Sequence, residues 1–544
     1  MQDAKTVFEV FRATADATPE APFLIVPSDL RRSDGVPTLV SYAAARLEVE
    51  RLAELYAAAG YEHGHRIAQL LGNTPEFFYH YLALNALGVS IVPINPDYRY
   101  DEIRYLLEHS EALLAVVTPE SHAAVSAAAK GLEQGDIPVI IGTNTAAFLP
   151  PRTNSPPPRR SMPANLETEC ALLYTSGTTG RPKGCILTNH YFVTAGRGYV
   201  SHGGLMSIRQ GQERFYNPLP LYHMNHLAVT ATGAILTGNA LVMTPRFSPS
   251  RWWAEIVETG ATVIHYLGVV VATLMNQPPS ALDSQHKVRF GVGAGVEPEL
   301  HGAFETRFGF PLLEVWGMTE TGRIYVANEE PRLVDTRAFG RPFAGFEAMV
   351  ADAEGRPVPA GSDGELLVRH SPDDPRHGFF SGYLKNEAAT DEVWRGGWFH
   401  TGDVVRQDET GMLYFVDRMK NIIRRSGENI AAAEVEAVLQ AHEAVAQVAV
   451  LAAPDEVREE EVFACVVTMP GLTGDSALAE ALVHWCRVRL AYYKVPGWVL
   501  FVDKLPTTGT QKVQKTQIFT PGEDPCKRPD AFDLRGLKRR VLGG

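Results

Sequence analysis

The first regular element that the hydrophobic pattern predicts is a helix near the beginning of the chain. Thr6 and Glu9 have the spacing of a capping box, a frequent start of an α-helix. Val7, Val10 and Phe11 then follow the spacing that places apolar side chains on one helix face. We therefore expect an α-helix that begins after Thr6.

From this helix to about residue 150, short apolar runs alternate with helical patterns. Arg66–Leu71 and Val89–Pro93 have the length and composition of buried strands, and Ile103–Leu107 belongs to a predicted helix. Strands that alternate with helices are typical of βα units around a largely parallel sheet. Leu149–Pro163 is rich in proline and arginine, so we predict a surface loop there.

A smaller unit is predicted near the end of the chain, after residue 417. Ala432–Gln440 has a helical pattern with one apolar face, and Val445–Leu451 has the composition of a strand. A further helix is predicted for Ala477–Leu490. A unit of about 100 residues is a usual size for a separate domain. We expect an α/β fold, with parallel-rich sheets in a large N-terminal domain of several subdomains and a small α+β C-terminal domain.

Length, charge and cysteine content exclude several classes of protein. The 544 residues exceed the roughly 250–300 that one core can hold, so at least two units are expected. The formal net charge of −13 opposes nucleic-acid binding, which depends on neutralising phosphates with Lys and Arg. No apolar run approaches the ~18 residues of a membrane span, and the N-terminus lacks a signal-peptide pattern. The five cysteines are scattered, which favours a cytoplasmic protein.

The clearest chemical pattern follows the predicted strand Ala171–Tyr174. It reads Tyr174-Thr175-Ser176-Gly177-Thr178-Thr179-Gly180-Arg181-Pro182-Lys183-Gly184. The glycines permit close approach to a ligand, the hydroxyl and N–H groups are donors, and Lys183 adds positive charge. It is not a Walker loop, because Pro182 precedes the lysine and Gly184 follows where Ser or Thr would bind magnesium. We predict a polyphosphate-binding loop, with a flexible loop as the alternative.

This loop resembles the signature loop of the adenylate-forming (ANL) superfamily, which contains acyl-CoA synthetases, peptide-synthetase adenylation domains and luciferases. Seven further segments are similar to motifs of that family and occur in the same order. They are Pro220-Leu221-Tyr222-His223-Met224, Gly293-Ala294-Gly295, Trp316-Gly317-Met318-Thr319-Glu320, Trp398-Phe399-His400-Thr401-Gly402-Asp403, Asp417-Arg418-Met419-Lys420-Asn421, Ser426-Gly427-Glu428-Asn429-Ile430 and Gly509-Thr510-Gln511-Lys512-Val513-Gln514-Lys515.

Three positions depart from the family pattern. Trp316 stands where the family has Tyr, and Gln511 stands where it has Gly. Gly293-Ala294-Gly295 replaces the usual Gly-Gly-Ala-Pro. These departures concern the adenine side of the site and the shape of the C-terminal loop.

The resemblance implies which residues bind the nucleotide. The ATP- and AMP-binding set is Thr175, Ser176, Gly177, Thr178, Thr179, Gly180, Lys183, Gly293, Ala294, Gly295, Trp316, Gly317, Thr319, Asp403 and Arg418. Within this set, Asp403 is expected to accept hydrogen bonds from both ribose hydroxyls, and Arg418 to reinforce the ribose or phosphate. Glu320 is the implied Mg²⁺ ligand, because that hard cation prefers carboxylate and phosphate oxygens.

The resemblance also implies the catalytic groups. They are Lys512, His223, Thr319 and Glu320. Lys512 would offset the negative charge that builds up as a carboxylate attacks the α-phosphate, with Lys515 as the alternative lysine. His223 would gate the passage between the acyl pocket and the pantetheine channel.

A mobile C-terminal domain is implied by the same motifs. Lys420 takes the hinge position, and the pantetheine arm of coenzyme A would pass Ser426, Gly427 and Glu428. The expected domains are residues 1–417, a hinge at 418–421, a lid domain at 422–520 and a tail at 521–544.

The acyl pocket is the least determined part of the site. Its expected lining is Tyr222, Met224, Tyr266, Gly268, Gly291 and Trp316. Aromatic walls would suit an aryl acid, or a quaternary ammonium through cation–π attraction. Leu274–His286 resembles the same stretch in crotonobetaine/carnitine–CoA ligases, so aryl, betaine-type and medium-chain acids all stay open.

The function that these motifs imply is ligation of a carboxylic acid to coenzyme A at the expense of ATP, with Mg²⁺. One alternative is an adenylating enzyme that loads the phosphopantetheine arm of a separate carrier protein. From another class, a non-catalytic nucleotide sensor is possible, although Lys512, Glu320 and Asp403 are all present. A light-emitting oxidase has no support beyond the fold. The expected partners are small molecules, with a possible homodimer.

Overall fold

The computed structural model describes residues 4–28, 39–144, 149–150, 163–175, 181–296, 298–418, 422–506, 515, 518–520 and 523–538. By its internal contacts the chain divides into two compact units. The first contains Met1–Pro96, Leu107–Tyr174 and Gly184–Asp417, and the second contains Asp97–Leu106, Thr175–Lys183 and Arg418–Gly544. The second unit therefore includes two short segments from the N-terminal part of the sequence.

Helices and strands alternate through the first half of the chain. Before the glycine-rich loop they are α1 (Val7–Ala17), β1 (Pro22–Ile25), β2 (Leu39–Ser41), α2 (Tyr42–Ala58), β3 (Arg66–Leu70), α3 (Pro75–Ala86), β4 (Ser90–Pro93), α4 (Tyr100–Ser110), β5 (Ala115–Val117), α5 (His122–Ala128), β6 (Val139–Ile141) and β7 (Glu169–Thr175). After it follow β8 (Lys183–Thr188), α6 (Asn189–Ser201), β9 (Arg214–Tyr216), α7 (Thr232–Thr237), β10 (Ala240–Val242), α8 (Trp252–Thr259), β11 (Val263–Leu267), α9 (Gly268–Met275), β12 (Phe290–Ala294), α10 (Pro298–Phe308) and β13 (Leu312–Gly317).

The later part of the chain is richer in strands. Up to residue 418 its elements are β14 (Ile324–Val326), β15 (Ala338–Gly340), β16 (Glu347–Ala351), β17 (Asp363–Arg369), β18 (Gly382–Tyr383), α11 (Glu387–Val393), β19 (Trp394–Arg395), β20 (Trp398–Gln407) and β21 (Leu413–Arg418). The C-terminal elements are β22 (Ile422–Arg425), β23 (Glu428–Ala431), α12 (Ala432–Gln440), β24 (Val445–Asp455), β25 (Glu459–Thr468), α13 (Ser476–Arg487), β26 (Trp498–Phe501) and β27 (Ala531–Asp533).

The first unit contains two parallel-rich sheets. One has eight strands in the order β14-β13-β12-β11-β9-β10-β1-β2, with antiparallel pairing only at its two edges. The other has seven strands in the order β18-β8-β7-β4-β3-β5-β6, and β7 to β6 are parallel. Because carboxyl ends of parallel strands meet at one edge of a sheet, the segments after β12 and β13 are neighbours.

A third sheet of the first unit is antiparallel. Its order is β15-β21-β20-β17-β16, and β19 pairs with β20. The sequence pattern did not predict this sheet, because its strands are short or interrupted and carry no helices between them. It carries Asp403, so its geometry matters for the candidate site.

The C-terminal part of the second unit is a small α+β structure. Its sheet has the order β23-β22-β25-β26-β27, with β24 also paired to β25. Helices α12 and α13 contribute Val435, Leu439, Leu482 and Val483 to a core of buried apolar residues. Within this unit, buried Lys494 donates hydrogen bonds to carboxylate oxygens of Glu102 (2.9 Å) and Glu434 (2.7 Å).

The structure confirms the predicted fold class, with mixed α/β architecture and parallel-rich sheets followed by a small C-terminal unit. At the start of α1 the Thr6 hydroxyl accepts a hydrogen bond from the Glu9 N–H (3.1 Å). The Glu9 carboxylate accepts from the N–H of Lys5, one residue earlier than in the reciprocal capping box. The predicted helix at Ala477–Leu490 begins at Ser476 and already ends at Arg487.

Three fully buried histidines of the first unit make its stability depend on pH. Burial lowers the pKa of His80 and of His226 to about 4, and that of His265 to about 3. Nε2 of His80 lies 3.1 Å from the Gly142 carbonyl oxygen and Nδ1 lies 2.7 Å from the Tyr56 hydroxyl. A neutral ring satisfies both contacts, because Nε2–H donates to the carbonyl and Nδ1 accepts from the hydroxyl.

We predict that the free energy of unfolding falls as the pH is lowered from 7 to 4.5. The folded-state pKa values lie below the ordinary 6.5, so the unfolded chain binds protons that the folded chain does not. Stability is therefore complete above pH 6.5 and is lost towards pH 4, by at most ~3 kcal/mol for each such histidine. Urea unfolding followed by tryptophan fluorescence at several pH values measures this loss. His80→Gln should reduce the pH slope, and an unchanged slope would mean that the pKa of His80 is the same in the folded and the unfolded chain.

Candidate active site

Asp403 projects from an irregularity in the antiparallel sheet. The register between β17 and β20 shifts here, since Glu365 pairs with Val404 but Leu367 pairs with His400. Bulges of this kind re-aim a side chain, and they occur often next to active sites. Gly402 has a φ of +70°, which glycine adopts at little cost.

Glu365 holds this bulge in place. One of its carboxylate oxygens accepts the N–H of Gly402 (3.0 Å), and the other lies 2.9 Å from Nδ1 of His400. The hydroxyl of Thr401 donates to the Leu366 carbonyl (2.7 Å) and accepts from the N–H of Asp403 (3.1 Å). The Asp403 side chain is thus carried by a backbone that is fixed on both sides.

A hydrogen bond joins Asp403 to the Trp316 motif. The indole N–H of Trp316 donates to Oδ2 of Asp403 over 2.9 Å, and both side chains are almost fully buried. The two residues are 87 positions apart in the sequence. The structure therefore brings together two residues that the sequence assigned to nucleotide binding, and the departure from Tyr to Trp supplies the donor.

The ring of Trp316 belongs to an aromatic stack. It packs against Tyr325 (centroids 5.8 Å apart, 29° between planes) and Phe346 (6.4 Å, 30°). With 5 % of its surface exposed, the ring is part of the first core. The stacked faces of the ring are covered by Tyr325 and Phe346, and the assignment of Trp316 to the acyl pocket stays a prediction.

Thr319 and Glu320 lie in the turn that follows β13. The hydroxyl of Tyr191 donates to the Thr319 carbonyl (2.7 Å), and the hydroxyl of Tyr383 donates to Oε1 of Glu320 (2.8 Å). The backbone carbonyl of Glu320 accepts from the N–H of Phe380 (2.9 Å). Two buried tyrosines thus fix this turn. Gly317, the last residue of β13, is exposed.

The carboxylate of Glu320 fits the role of a magnesium ligand by its chemistry. A carboxylate offers about four acceptor positions, and the hydroxyl of Tyr383 uses one of them. The charged oxygens are of the hard type that Mg²⁺ prefers, with substrate phosphates completing the set. Among the residues that the structure describes, no group of three or more His, Cys, Asp or Glu could hold a metal by itself.

The Gly293–Gly295 segment is held by a buried carboxylate that the sequence analysis missed. Oε2 of Glu314 accepts from the N–H of Gly295 (3.0 Å), and Oε1 accepts from the hydroxyl of Tyr266 (2.8 Å). Burial raises the pKa of Glu314 to about 7, although the Tyr266 hydroxyl works against this shift. A charged residue inside the otherwise apolar strand Leu312–Gly317 is the signal that could have found Glu314.

Tyr266 and Gly291 are surrounded by packed apolar side chains of the first unit. Tyr266 is 1 % exposed and packs in the second core of the first unit, with Ile264 and Leu312. A Cβ on Gly293 would lie 2.2 Å from the carbonyl oxygen of Tyr266, and one on Gly291 would lie 2.8 Å from Cδ2 of Leu312. These glycines make room for core packing, and the assignment of Tyr266 and Gly291 to the acyl pocket stays a prediction.

Replacing Tyr266 with phenylalanine should affect stability and leave the acid preference unchanged. The substitution removes the donor to Glu314 and leaves a buried carboxylate less satisfied, which costs about 1–3 kcal/mol. Urea unfolding measures the loss, and relative kcat/KM values over a panel of acids measure the preference. Tyr222→Phe is the matched substitution. Its ring is half-buried in the Pro220–Met224 motif, and the substitution should change the KM for the acid. A changed order of acids in Tyr266→Phe would show that Tyr266 lines the pocket.

The segment after Tyr222 and His223 is a π-helix, Asn225–Ala231. Such i→i+5 turns are rare and occur frequently at functional sites. The rings of Tyr222 and His223 are half-buried and meet edge to face at 4.6 Å, whereas Met224 is buried in the first core. Oδ1 of half-buried Asn225 accepts from Nδ2 of Asn217 (3.0 Å), which fixes the carboxamide orientation. Asn225 was not among the predicted site residues.

Except for Gly268, the remaining candidates lie in the second unit or outside the described residues. Thr175 ends β7 and Lys183 begins β8, both half-buried, while Ser176–Gly180 lie outside the described residues. At the end of the loop the Arg181 guanidinium lies over the ring of Tyr105 (5.1 Å), whose hydroxyl donates to the Pro182 carbonyl (3.0 Å). Gly268 is the first residue of α9 in the first unit.

Ser426 and Gly427 form the two-residue turn between β22 and β23. Their φ angles are +49° and +84°, the combination typical of a type I′ hairpin turn. Glu428 begins β23 and is half-buried.

Lys420, Lys512 and the side chain of Arg418 lie outside what the structure describes. Lys515 pairs with Glu436 (2.7 Å) and donates to the Val450 carbonyl (3.0 Å), a structural use of the alternative lysine.

Two family models match the sequence. The model for AMP-binding enzyme matches residues 11–384, and that for the AMP-binding enzyme C-terminal domain matches residues 434–512. The chain belongs to the family of AMP-binding enzymes. The two models cover the phosphate loop and the motifs of Trp316 and Lys512, as the resemblance to the adenylate-forming superfamily implied.

The relatives of this AMP-binding enzyme include acid–CoA ligases. It is 32% identical over 524 residues to sulfoacetate–CoA ligase of Cupriavidus necator, covering 94% of this chain and 97% of the relative. It is 30% identical over 491 residues to crotonobetaine/carnitine–CoA ligase of Proteus mirabilis, covering 88% and 92%. The AMP-binding enzyme is therefore a member of the AMP-forming acid–CoA ligases, with ATP and CoA as cosubstrates.

Solved structures agree with this assignment. The o-succinylbenzoate CoA synthetase of Bacillus subtilis superposes with a TM-score of 0.80 at 26% identity, covering 94% of this chain and 98% of that one. The amide bond synthetase McbA of Marinactinospora thermotolerans gives a TM-score of 0.77 at 27% identity with the same coverage. No helix in the described ranges is long and apolar enough to cross a membrane.

Proposed function

We propose that this acid–CoA ligase activates a small carboxylic acid that carries a second charged or polar group. In the first step a carboxylate oxygen attacks the α-phosphorus of ATP, and the bond to the β-phosphate breaks to release pyrophosphate. In the second step the CoA thiolate attacks the acyl carbon, and AMP leaves. The observation that carries the ATP-dependent first step is the Trp316–Asp403 hydrogen bond, which joins two nucleotide motifs.

Asp403 is the proposed ribose ligand. Its carboxylate, which already accepts from the indole of Trp316, is proposed to accept from both ribose hydroxyls when the nucleotide binds. The fixed bulge and the indole donor hold the carboxylate in one orientation before the nucleotide binds. Such preorganisation reduces the ordering cost of binding.

Charge neutralisation is the main chemical requirement, because two anions must meet in the first step. Mg²⁺, when bound, would withdraw charge from the phosphate oxygens. Glu320 is the proposed residue that holds it, and Tyr383 keeps that carboxylate oriented. Lys183 and Lys512 are proposed to place positive charge on the phosphates and on the transition state respectively.

The acid is proposed from the relatives together with the packing of the predicted pocket residues. Tyr266 and Trp316 are covered by core packing, which removes the main argument for an aryl acid. The half-buried carboxamide of Asn225 and the neighbouring His223 favour a polar acid instead. Sulfoacetate and crotonobetaine, which name the ligases of the relatives, both carry a charged group besides the carboxylate.

Several further assignments are part of the same proposal. Ser426, Gly427 and Glu428 would line the pantetheine channel, Lys420 would be the hinge, and His223 would gate the acyl pocket. The domain bounds at residues 417 and 421, a cytoplasmic location and a homodimer are proposed as well. All five cysteines carry free thiols, which supports a reducing compartment.

The test measures pyrophosphate release from ATP and Mg²⁺ over a panel of acids, with and without CoA. The panel contains sulfonated, betaine-type, aryl and medium-chain acids. CoA-dependent formation of AMP and acyl-CoA with a sulfonated or betaine-type acid is the expected result. Preference for an aryl or medium-chain acid would overturn the acid class, and an adenylate that CoA does not discharge would indicate a carrier-protein acceptor.

A further inference from the structure

A buried ionic cluster lies in the C-terminal part of the second unit. Nε of Arg425 donates to both carboxylate oxygens of Glu461 (2.9 Å each). Nζ of Lys538 donates to the same carboxylate and to the Tyr493 carbonyl (3.3 Å). The three charged side chains are at most 4 % exposed, and a buried charge is costly unless it is paired.

This cluster stands directly at the base of the Ser426–Gly427 turn. Arg425 is the last residue of β22, pairs with Glu428 across the hairpin and with Glu459 on β25. The N–H of Ser426 donates to the Arg458 carbonyl (3.1 Å). The guanidinium of Arg425 therefore anchors the strand end from which the turn projects, and Glu461 is its anchor point on β25.

Lys538 comes from a segment beyond the matched family domain, which ends at residue 512. That segment is docked: β27 pairs with β26, and Leu534 is buried in the core. Arg535 pairs with Asp455 (3.1 Å) and lies over the Trp498 ring (4.8 Å).

Gly497 leaves the space that this arrangement requires. A Cβ at this position would lie 2.4 Å from Cγ of Glu461 and 3.1 Å from Cγ of Arg535. The backbone of the second unit is thus shaped to admit both the buried carboxylate and the docked C-terminal segment.

We propose that Lys538 is a positioning residue for thioester formation, acting through Glu461 and Arg425 on the Ser426–Glu428 turn. The proposal rests on the proposed role of that turn in the pantetheine channel. With Lys538 in place, the Glu461 carboxylate is held between two cations, Arg425 and Lys538, which come from separate parts of the chain. The end of β22 therefore cannot shift without breaking a buried ion pair. Burial and the neighbouring Arg425 lower the pKa of Lys538 to about 7, although the Glu461 carboxylate works against this shift.

The test compares the two half-reactions in Lys538→Met, which removes the ammonium and keeps most of the side-chain volume. Adenylate formation is followed by pyrophosphate release, and thioester formation by discharge of preformed acyl-AMP with CoA. We expect the KM for CoA to rise about 10-fold, with adenylate formation within about twofold of the parent. Lys527→Met is the matched control on the same segment, because that side chain is 84 % exposed, and it should change neither half-reaction.

Glu461→Gln provides an independent variant on another strand. It should raise the KM for CoA in the same way, and its effect should not add to that of Lys538→Met, because both act through one network. It also decides the question if Lys538→Met does not fold. Equal loss of both half-reactions, an unchanged KM for CoA, or additive effects would overturn the proposal. The parent enzyme is measured first, so failure of CoA to discharge its adenylate would identify the proposed function, rather than Lys538, as the error.

Discussion

Lys512→Ala is expected to abolish the first half-reaction and to spare the second. Adenylate formation brings a carboxylate against the α-phosphate, and a lysine at the family position would offset the charge of that transition state. Loss of one such group typically costs about 10³-fold in rate. Discharge of preformed acyl-AMP by CoA releases AMP without that charge build-up, so its rate should stay within about threefold of the parent.

Lys515→Ala is the matched control in the same motif. Lys515 pairs with Glu436 and donates to the Val450 carbonyl, so its replacement should lower stability more than activity. Pyrophosphate release and adenylate discharge are measured for both variants. A larger loss of adenylate formation in Lys515→Ala than in Lys512→Ala would exchange the two assignments, and equal loss of both half-reactions in Lys512→Ala would remove its proposed role.

Asp403→Asn is expected to lower kcat/KM for ATP about 100-fold. The amide keeps the shape of the side chain and one acceptor for the indole of Trp316, but it loses the charge and one acceptor for ribose. Two charge-assisted hydrogen bonds to ribose, each worth roughly 1.5–3 kcal/mol, make a loss of this size reasonable. KM for ATP and kcat are measured with the preferred acid in excess.

Trp316→Phe tests how much the fixed orientation of the Asp403 carboxylate contributes, as distinct from the presence of that carboxylate. The variant keeps the aromatic stack and the Asp403 carboxylate, and removes only the indole donor. Its kcat/KM for ATP should fall less than 10-fold, because the carboxylate that accepts from ribose is still present and loses only its fixed orientation. An Asp403→Asn enzyme with the ATP kinetics of the parent would show that ribose is bound elsewhere.

Local structure was predictable wherever one element carried its own pattern. The Thr6 cap, strands β3 and β4, and the limits of α12 follow from spacing over a few residues. The antiparallel sheet with β20 was missed, because its register shift interrupts the alternation on which strand prediction depends. The motif residues were found from their order along the chain, and two of them, Trp316 and Asp403, do meet.

The acyl pocket shows where sequence reasoning stopped. Tyr266 and Trp316 were assigned to it because they stand in or beside motif segments. In the structure Tyr266 faces the second core and Trp316 stacks on Tyr325. Which face of a strand a residue occupies depends on the neighbours across the sheet, and no pattern along one strand records them.

The sequence by itself determined the family, the order of the motifs, the parallel-rich architecture and the division into a large and a small part. Each of these depends on residue type and on spacing along the chain. Only the tertiary structure decided that Glu314 holds the Gly295 turn, that Asp403 receives the Trp316 indole, and that a C-terminal lysine joins Arg425 and Glu461. Those contacts join distant residues, and buried polar groups find such partners only when the core is packed around them.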